Sequence, residues 1–516
     1  MTTTTDGALE GYVWIPVVAG VAMLYMAWGI GANDVANAFG TSFGARSLTH
    51  TQAVMLATVC EFLGAFALGS HVSKTVRKDI VSISLYEGDE GRLTLMVGMM
   101  CALFAASLWL HLASWLALPV STTHSIIGSM MGVAVVTRGY ASVNWDKVVQ
   151  IVMSWVASPG LAMAISATLW FVIKGLVFRH ARVAQQVVWA HRVAPACVFL
   201  TVSVVTLFMI YKGAKGLDID EMPLVRALRI GCLTGAVATA LTYPAVRWWV
   251  RRVVATSPTP TDEATLELSG AELTAALEAC ESGGAAGEDT AAGAATGDTA
   301  STGDTASTGD AASTGDAAGD AAPTTAADDT ADADAPTTPP PHTATERIFI
   351  PLNVLTAAFE SLAHGANDVA NAIGPFNGIV AAYRHPLSKK TEMPLWILAF
   401  GGAGIVVGLL TYGRRVMQRI GHHITCVTPS RAFCIELAAT FTILLATNLE
   451  LPVSTTHASV GAVIGVGLVD NYCAVQWYGV GQMVASWVLT IPFAGLVTSA
   501  LYGLILPAVV VPGRGV

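Results

Sequence analysis

Charge is scarce in this sequence. Of 516 residues only 12% are Asp, Glu, Lys or Arg, while 53% are hydrophobic. Ordinary soluble domains carry about a quarter charged residues, so a soluble globular protein is excluded and no nucleic-acid partner is expected. The eight cysteines contain no Cys-x-x-Cys pair and sit mostly inside apolar runs. They read as small buried hydrophobes, and neither a metal centre nor a disulfide framework follows from them. No cationic segment or small-residue cleavage site precedes the first apolar stretch, which reads as a span and not as a leader. No Asn-x-Ser/Thr acceptor marks an outside loop. Lys and Arg are wholly absent from residues 255–345, which hold 17 acidic residues and no aromatic one. That segment accounts for the net charge of -9, since the rest of the chain has 27 basic and 19 acidic residues.

What is abundant is apolar length. A bilayer core needs roughly 20 apolar residues per helix, and the chain offers about a dozen such stretches. The expectation is an all-α polytopic membrane protein. Its domains are an N-terminal tail (1–12), a first membrane half (13–254), a disordered acidic low-complexity linker (255–345) and a second membrane half (346–516). The linker carries a six-residue repeat at Gly297, Gly303, Gly309 and Gly315 and cannot bury a core. A short helix around residues 266–277 is compatible with its composition. The linker reads as passive, with a regulatory tether the sharper alternative.

Within the apolar background two polar phrases occur twice. Gly31-Ala32-Asn33-Asp34-Val35-Ala36-Asn37-Ala38 returns unchanged from Gly365 to Ala372, and Leu118-Pro119-Val120-Ser121-Thr122-Thr123-His124 returns as Leu451 to His457. Ser154-Trp155-Val156 with Pro159 is echoed by Ser486-Trp487-Val488 with Pro492. Two homologous halves follow, with extra helices near 194–210 and 230–249 closing the first. Residues 101–136 contain no charged side chain and are broken at Pro119. That is too long for one span and too bare for two, so a broken or re-entrant hairpin is expected, and 437–469 repeats the design. Counting seven passes before the linker gives an odd number, which inverts the second half relative to the first. Arg247, Arg251 and Arg252 mark the linker side as cytoplasmic, and the unbasic N-terminus is expected outside.

An ionisable group in an apolar helix is by default a functional candidate. Asp34 and Asp368, each flanked by Asn at the same offsets (Asn33 and Asn37, Asn367 and Asn371), suit a hard cation such as sodium. Amide oxygens, carboxylates and the carbonyls of an unwound helix would supply the ligands. Pro-Val-Ser-Thr-Thr phrases suit the opposite charge. Free N–H groups and hydroxyls at a helix start bind small oxyanions without Lys or Arg, although a simple Ser/Thr cap explains most such pairs. Glu61 and Glu436 are single carboxylates in apolar helices and favour function. His124 and His457 read as packing or hydrogen-bonding residues more readily than as proton carriers, and His364 can be either. A Ser-His-Asp hydrolase assembled from these residues lacks a nucleophile elbow and has no use for the duplication.

These paired phrases, His364-Gly365-Ala366-Asn367-Asp368, the run from Arg431 to Leu437 and the long insert resemble the inorganic phosphate transporter family of sodium/phosphate symporters, the eukaryotic members most of all. The resemblance covers both membrane halves. It implies about twelve membrane segments in two inverted repeats, a homodimer, no cofactor, and alternating access around a midplane site, most simply in the plasma membrane. By position, Asp34, Ser121, Thr122, Thr123, Asp368, Ser454, Thr455 and Thr456 would serve phosphate. Asn33, Asp34, Asn37, Asn367, Asp368 and Asn371 would serve sodium, and Glu61 and Glu436 match transport-associated acids. Glu450, where the first copy has Ala117, departs from the pattern. Proton coupling and phosphate sensing without net transport are the rival readings.

Overall fold

Apolar runs without strand-like alternation leave the backbone one way to satisfy its polar groups in lipid, the α-helix. The computed structural model describes residues 7–70, 80, 83–116, 118–213, 219–256, 342–387, 393–423 and 427–509. Nearly all of the linker, with its candidate helix at 266–277, lies outside the described residues. Helices α1 (Trp14–Asn33), α2 (Val35–Gly44) and α3 (His50–Leu68) open the chain. They lead to α4 (Asp89–Trp115), α5 (Thr122–Arg138) and α6 (Trp145–Ile173), the last extended by a π-helical turn, Lys174–Phe178. The first half closes with α7 (Val183–Tyr211) and α8 (Leu224–Ala255), both longer than their apolar stretches suggest. The second half consists of α9 (Ala344–Arg384), α10 (Leu395–His423), α11 (Pro429–Asn448), α12 (Thr455–Asp470) and α13 (Trp477–Val509). Among the described residues, ten helices are long and apolar enough to cross a membrane, α1 and α2 counting as one; α5 and α12 are the short remainder.

The short helices belong to the expected hairpins. The chain leaves α4 through a turn and an extended arm before α5 begins. Tyr86, just ahead of α4, hydrogen-bonds Thr137 near the end of α5, and the Arg138 guanidinium sits 5.3 Å over its ring. The hairpin therefore returns to the face it entered. Its counterpart closes in the same way, Arg431 Nη2 at the start of α11 lying 2.7 Å from Asp470 Oδ2 at the end of α12. A returning hairpin adds no net crossing, so the seven passes counted from sequence become five crossings and one hairpin. The count stays odd, and the second half is inverted.

Each repeat packs its helices on the other repeat. α1 crosses α10 so closely that a Cβ on Gly31 would lie 1.8 Å from the Ile405 carbonyl oxygen; on Gly408 it would lie 1.9 Å from that of Trp28. The inverted copy does the same, with Gly365 of α9 against Glu61 and Gly64 of α3 against Leu362 (2.3 and 2.0 Å). In lipid, helix association depends on such close backbone approach, which only small residues allow. α5 likewise packs on α13 at Gly128, and α12 on α6 at Gly461.

One backbone expectation is overturned. The repeated phrase is not unwound. In the first copy the chain only kinks at Asp34, which keeps helical φ/ψ (-85°, -31°) and donates its N–H to the Ile30 carbonyl at 2.8 Å. In the second copy α9 runs straight through Asp368. Unwound carbonyls are therefore not available there as cation ligands.

Candidate functional site

Two kinds of chain end meet at the centre of the molecule. The starts of α5 and α12 come from the hairpins, and the polar phrases come from α1, α2 and α9. Ser121 and Ser454 are the N-caps, accepting the backbone N–H of His124 (3.2 Å) and His457 (3.3 Å). The capping explanation is thus correct for both serines. It does not involve the hydroxyls of Thr122, Thr123, Thr455 and Thr456, all buried residues.

The asparagines hold the hairpins in place. Asn33 donates to Ser114 Oγ (3.2 Å) and the Leu118 carbonyl (3.0 Å) and accepts the Val120 N–H (3.2 Å). Asn367, with its amide turned so that both ends are satisfied, donates to the Val453 carbonyl and to Asp368 Oδ1 (3.1 Å each) and accepts from Thr447 (3.2 Å). Each asparagine thus braces the extended arm that leads into a candidate anion-binding helix. Asn371 donates to Thr123 Oγ1 at 3.1 Å, while its Oδ1 is buried without a partner. Asn37 lies on α2, but its side chain is outside the described residues.

The carboxylates face the helix starts of both halves. The Thr455 hydroxyl donates to Asp368 Oδ2 at 2.7 Å, and that of Thr456 to Asp34 Oδ1 at 3.4 Å. Asp34 Oδ2 is buried and unpartnered. Asp34, His364 and Asp368 each offer a ligand atom, and these lie within 4.8 Å of one another. His364 joins this cluster to Glu61, with Nε2 2.9 Å from Asp368 Oδ2 and Nδ1 2.8 Å from Glu61 Oε2. Ser361 completes the Glu61 shell with a 2.9 Å hydrogen bond.

Glu436 lies outside that chain. Its carboxylate accepts from Thr41 (2.7 Å), Ser42 (2.6 Å), Asn353 (2.6 Å) and Thr356 (2.7 Å), a full set of donors for an ionised group. Glu450 occupies a left-handed turn position (φ 57°) between α11 and the extended arm, half-buried. Sequence reasoning missed Glu360. This fully buried residue accepts from Ser459 (2.7 Å), and its other oxygen has no partner. Its spacing was the available signal, since Glu360, His364 and Asp368 recur every four residues along one face of α9.

Fold and site together describe a polytopic membrane transport protein with carboxylates, amides and hydroxyls buried among its helices. The chain belongs to the phosphate transporter family, whose model matches residues 30–498. It is therefore a transporter and not an enzyme. A putative phosphate permease of Pyrococcus furiosus is 32% identical and covers 95% of each chain. The phosphate-repressible phosphate permease of Neurospora crassa is 31% identical over 93% of this chain and 95% of its own. The chloroplastic inorganic phosphate transporter 2-1 of Arabidopsis thaliana is 32% identical over 93% of this chain and 70% of its own. A solved structure titled the sodium-dependent phosphate transporter superposes with a TM-score of 0.72 at 30% identity, covering 96% of this chain and 99% of the other.

Proposed function

We propose that the protein is a secondary active symporter that imports inorganic phosphate coupled to sodium by alternating access. The observation that carries this reading is the meeting of Asp34 and Asp368, one from each repeat, with the threonines that start α5 and α12. Two carboxylates about 5 Å apart repel by roughly 3–4 kcal/mol at an effective dielectric of 20. A phosphate at the adjoining helix starts adds to that repulsion unless cations intervene. Sodium between Asp34, Asp368 and the oxygens of Asn371, with Asn33, Asn37 and Asn367 alongside, removes it. Ser121, Thr122, Thr123, Ser454, Thr455 and Thr456 then face phosphate. Each ion raises the affinity for the other, as reciprocal linkage requires. The sodium-dependent neighbour supports the choice of cation.

A second reading has its own observation. The chain Glu61–His364–Asp368 is a buried carboxylate–imidazole–carboxylate path able to carry a proton. The test is radiolabelled phosphate uptake into proteoliposomes with sodium replaced by choline at fixed pH. Uptake is expected to stop. Uptake that persists in choline and collapses with the pH gradient establishes proton coupling instead. Saturable binding without accumulation under any gradient establishes a sensor. A plasma-membrane setting, an outside N-terminus, a cytoplasmic linker and a homodimer belong to the same proposal, supported by the basic end of α8 and by the family resemblance.

A further inference from the structure

We propose that His124 and His457 form a clasp that fixes the spacing of the two phosphate-facing helix starts, which makes them positioning residues for substrate. This inference rests on the reading that phosphate sits at the starts of α5 and α12.

Each histidine lies in the first turn of its helix, and each reaches both long outer helices. His457 Nδ1 is 3.2 Å from the Trp155 carbonyl on α6, and His124 Nδ1 is 3.4 Å from the Trp487 carbonyl on α13. The ring contacts are exchanged. His124 packs on the Trp155 ring and His457 on the Trp487 ring, each at 3.7 Å between centroids and tilted by 38° and 34°. The two imidazoles meet edge to face at 4.5 Å. Four rings from four helices, two from each repeat, thus close around the pseudo-twofold axis.

The sequence makes room for this. Pro159 stands four residues after Trp155 and has no N–H, so the Trp155 carbonyl lacks its helical donor. The His457 Nδ1–H supplies one. Pro492 stands five residues after Trp487, where Ile491 remains in the ordinary helical register for that carbonyl, in keeping with the longer contact from His124. Donation from Nδ1 leaves Nε2 as an acceptor, and both Nε2 atoms are buried without a partner. Among the described residues neither Nε2 has a hydrogen-bonding neighbour, in keeping with a role through geometry. In front of the rings, Thr123 donates to the Val453 carbonyl (3.1 Å), and the single Thr456 O–H, shared with Asp34 Oδ1 (3.4 Å), points to that of Val120 (3.3 Å). The clasp thus backs a polar link that holds the donors of both helix starts at one distance.

The test is phosphate uptake kinetics in proteoliposomes for His124→Phe, His457→Phe, the double variant, and His457→Asn beside His457→Ala. Phe keeps the ring contact and loses the donor; Asn keeps a donor at the Nδ1 position and loses the ring contact. Each Phe variant is expected to raise the phosphate KM about three- to tenfold, the scale of one buried hydrogen bond, with kcat within about twofold. The double variant should be no worse than the worse single one, because breaking either arm opens the clasp. His457→Asn should recover part of what His457→Ala loses. A fall in kcat at unchanged KM, additive effects, or no difference between Asn and Ala overturns the clasp. If the Phe variants do not fold, the Asn/Ala pair decides alone. Thr122→Val and Thr455→Val separate the two ideas. An unmoved phosphate KM in both overturns the site reading. Raised values there with wild-type values in the histidine variants overturn only the clasp.

Discussion

Glu436 and Glu360 are both buried in the membrane region, and their surroundings prescribe opposite responses to the same substitution. Four donors converge on Glu436, so Glu436→Gln replaces an oxygen that accepts two hydrogen bonds by an amide N–H₂, which either meets the Asn353 N–H₂ or forces the hydroxyls of Thr41 and Ser42 to turn their protons elsewhere. A buried mismatch of this kind costs about 1–3 kcal/mol, and a lower melting temperature in detergent is expected. Glu360 has one donor and a bare oxygen, so Glu360→Gln puts an uncharged amide of the same shape in a site that does little to hold a carboxylate, and should leave melting unchanged or raised. Equal destabilisation of the two variants would show that the donor count is irrelevant. Asp34→Asn and Asp368→Asn should each abolish sodium-dependent uptake while surface delivery stays normal. Uptake by either variant at the wild-type rate refutes a shared site. The duplicated residues were legible in the sequence because repetition separates them from bulk apolarity. Asn353 was not, since a single amide in one copy carries no local mark, and Glu360 showed only in its four-residue spacing to His364 and Asp368.

At the scale of elements, the glycine of the repeated phrase has a mechanical task beside its neighbours' chemical one. Gly31→Val and Gly365→Val force apart helices whose backbones are in contact, and loss of monodisperse protein on size-exclusion chromatography is expected. Gly160→Ala on α6 is the control, since its Cβ meets nothing within 4 Å. It should stabilise the helix by about 0.5–1 kcal/mol, read as equal or higher melting. The hairpins were legible because a charge-free run with a central proline admits few other forms. Partner exchange was not, as no periodicity tells which helix a glycine will meet. The identical phrase also kinks at Asp34 and runs on at Asp368, so its local conformation is set by tertiary surroundings.

For the whole molecule, the two halves are tied directly where α8 ends and α9 begins. Arg347 Nη2 on α9 bonds Thr256 Oγ1 at the end of α8 at 2.8 Å, and Trp249 Nε1 bonds the Arg347 carbonyl at 2.9 Å. The end of α8 and the first turn of α9 are therefore held together by their own residues, with no contact required from the segment 257–341. A protease site placed within it should, after cleavage, leave a single species on size-exclusion chromatography with uptake intact. Separation of the fragments, or loss of transport with the complex whole, would assign the segment a structural or regulatory task. Either half expressed alone should fail to fold, because α1 needs α10 and α9 needs α3. That exchange has a further meaning. Two oppositely inserted copies of one half could make the same kinds of crossings with each other, each lending its glycine face to its twin. The ancestral unit would then have been a chain that entered the membrane in both directions, and fusion had only to join two ends already side by side.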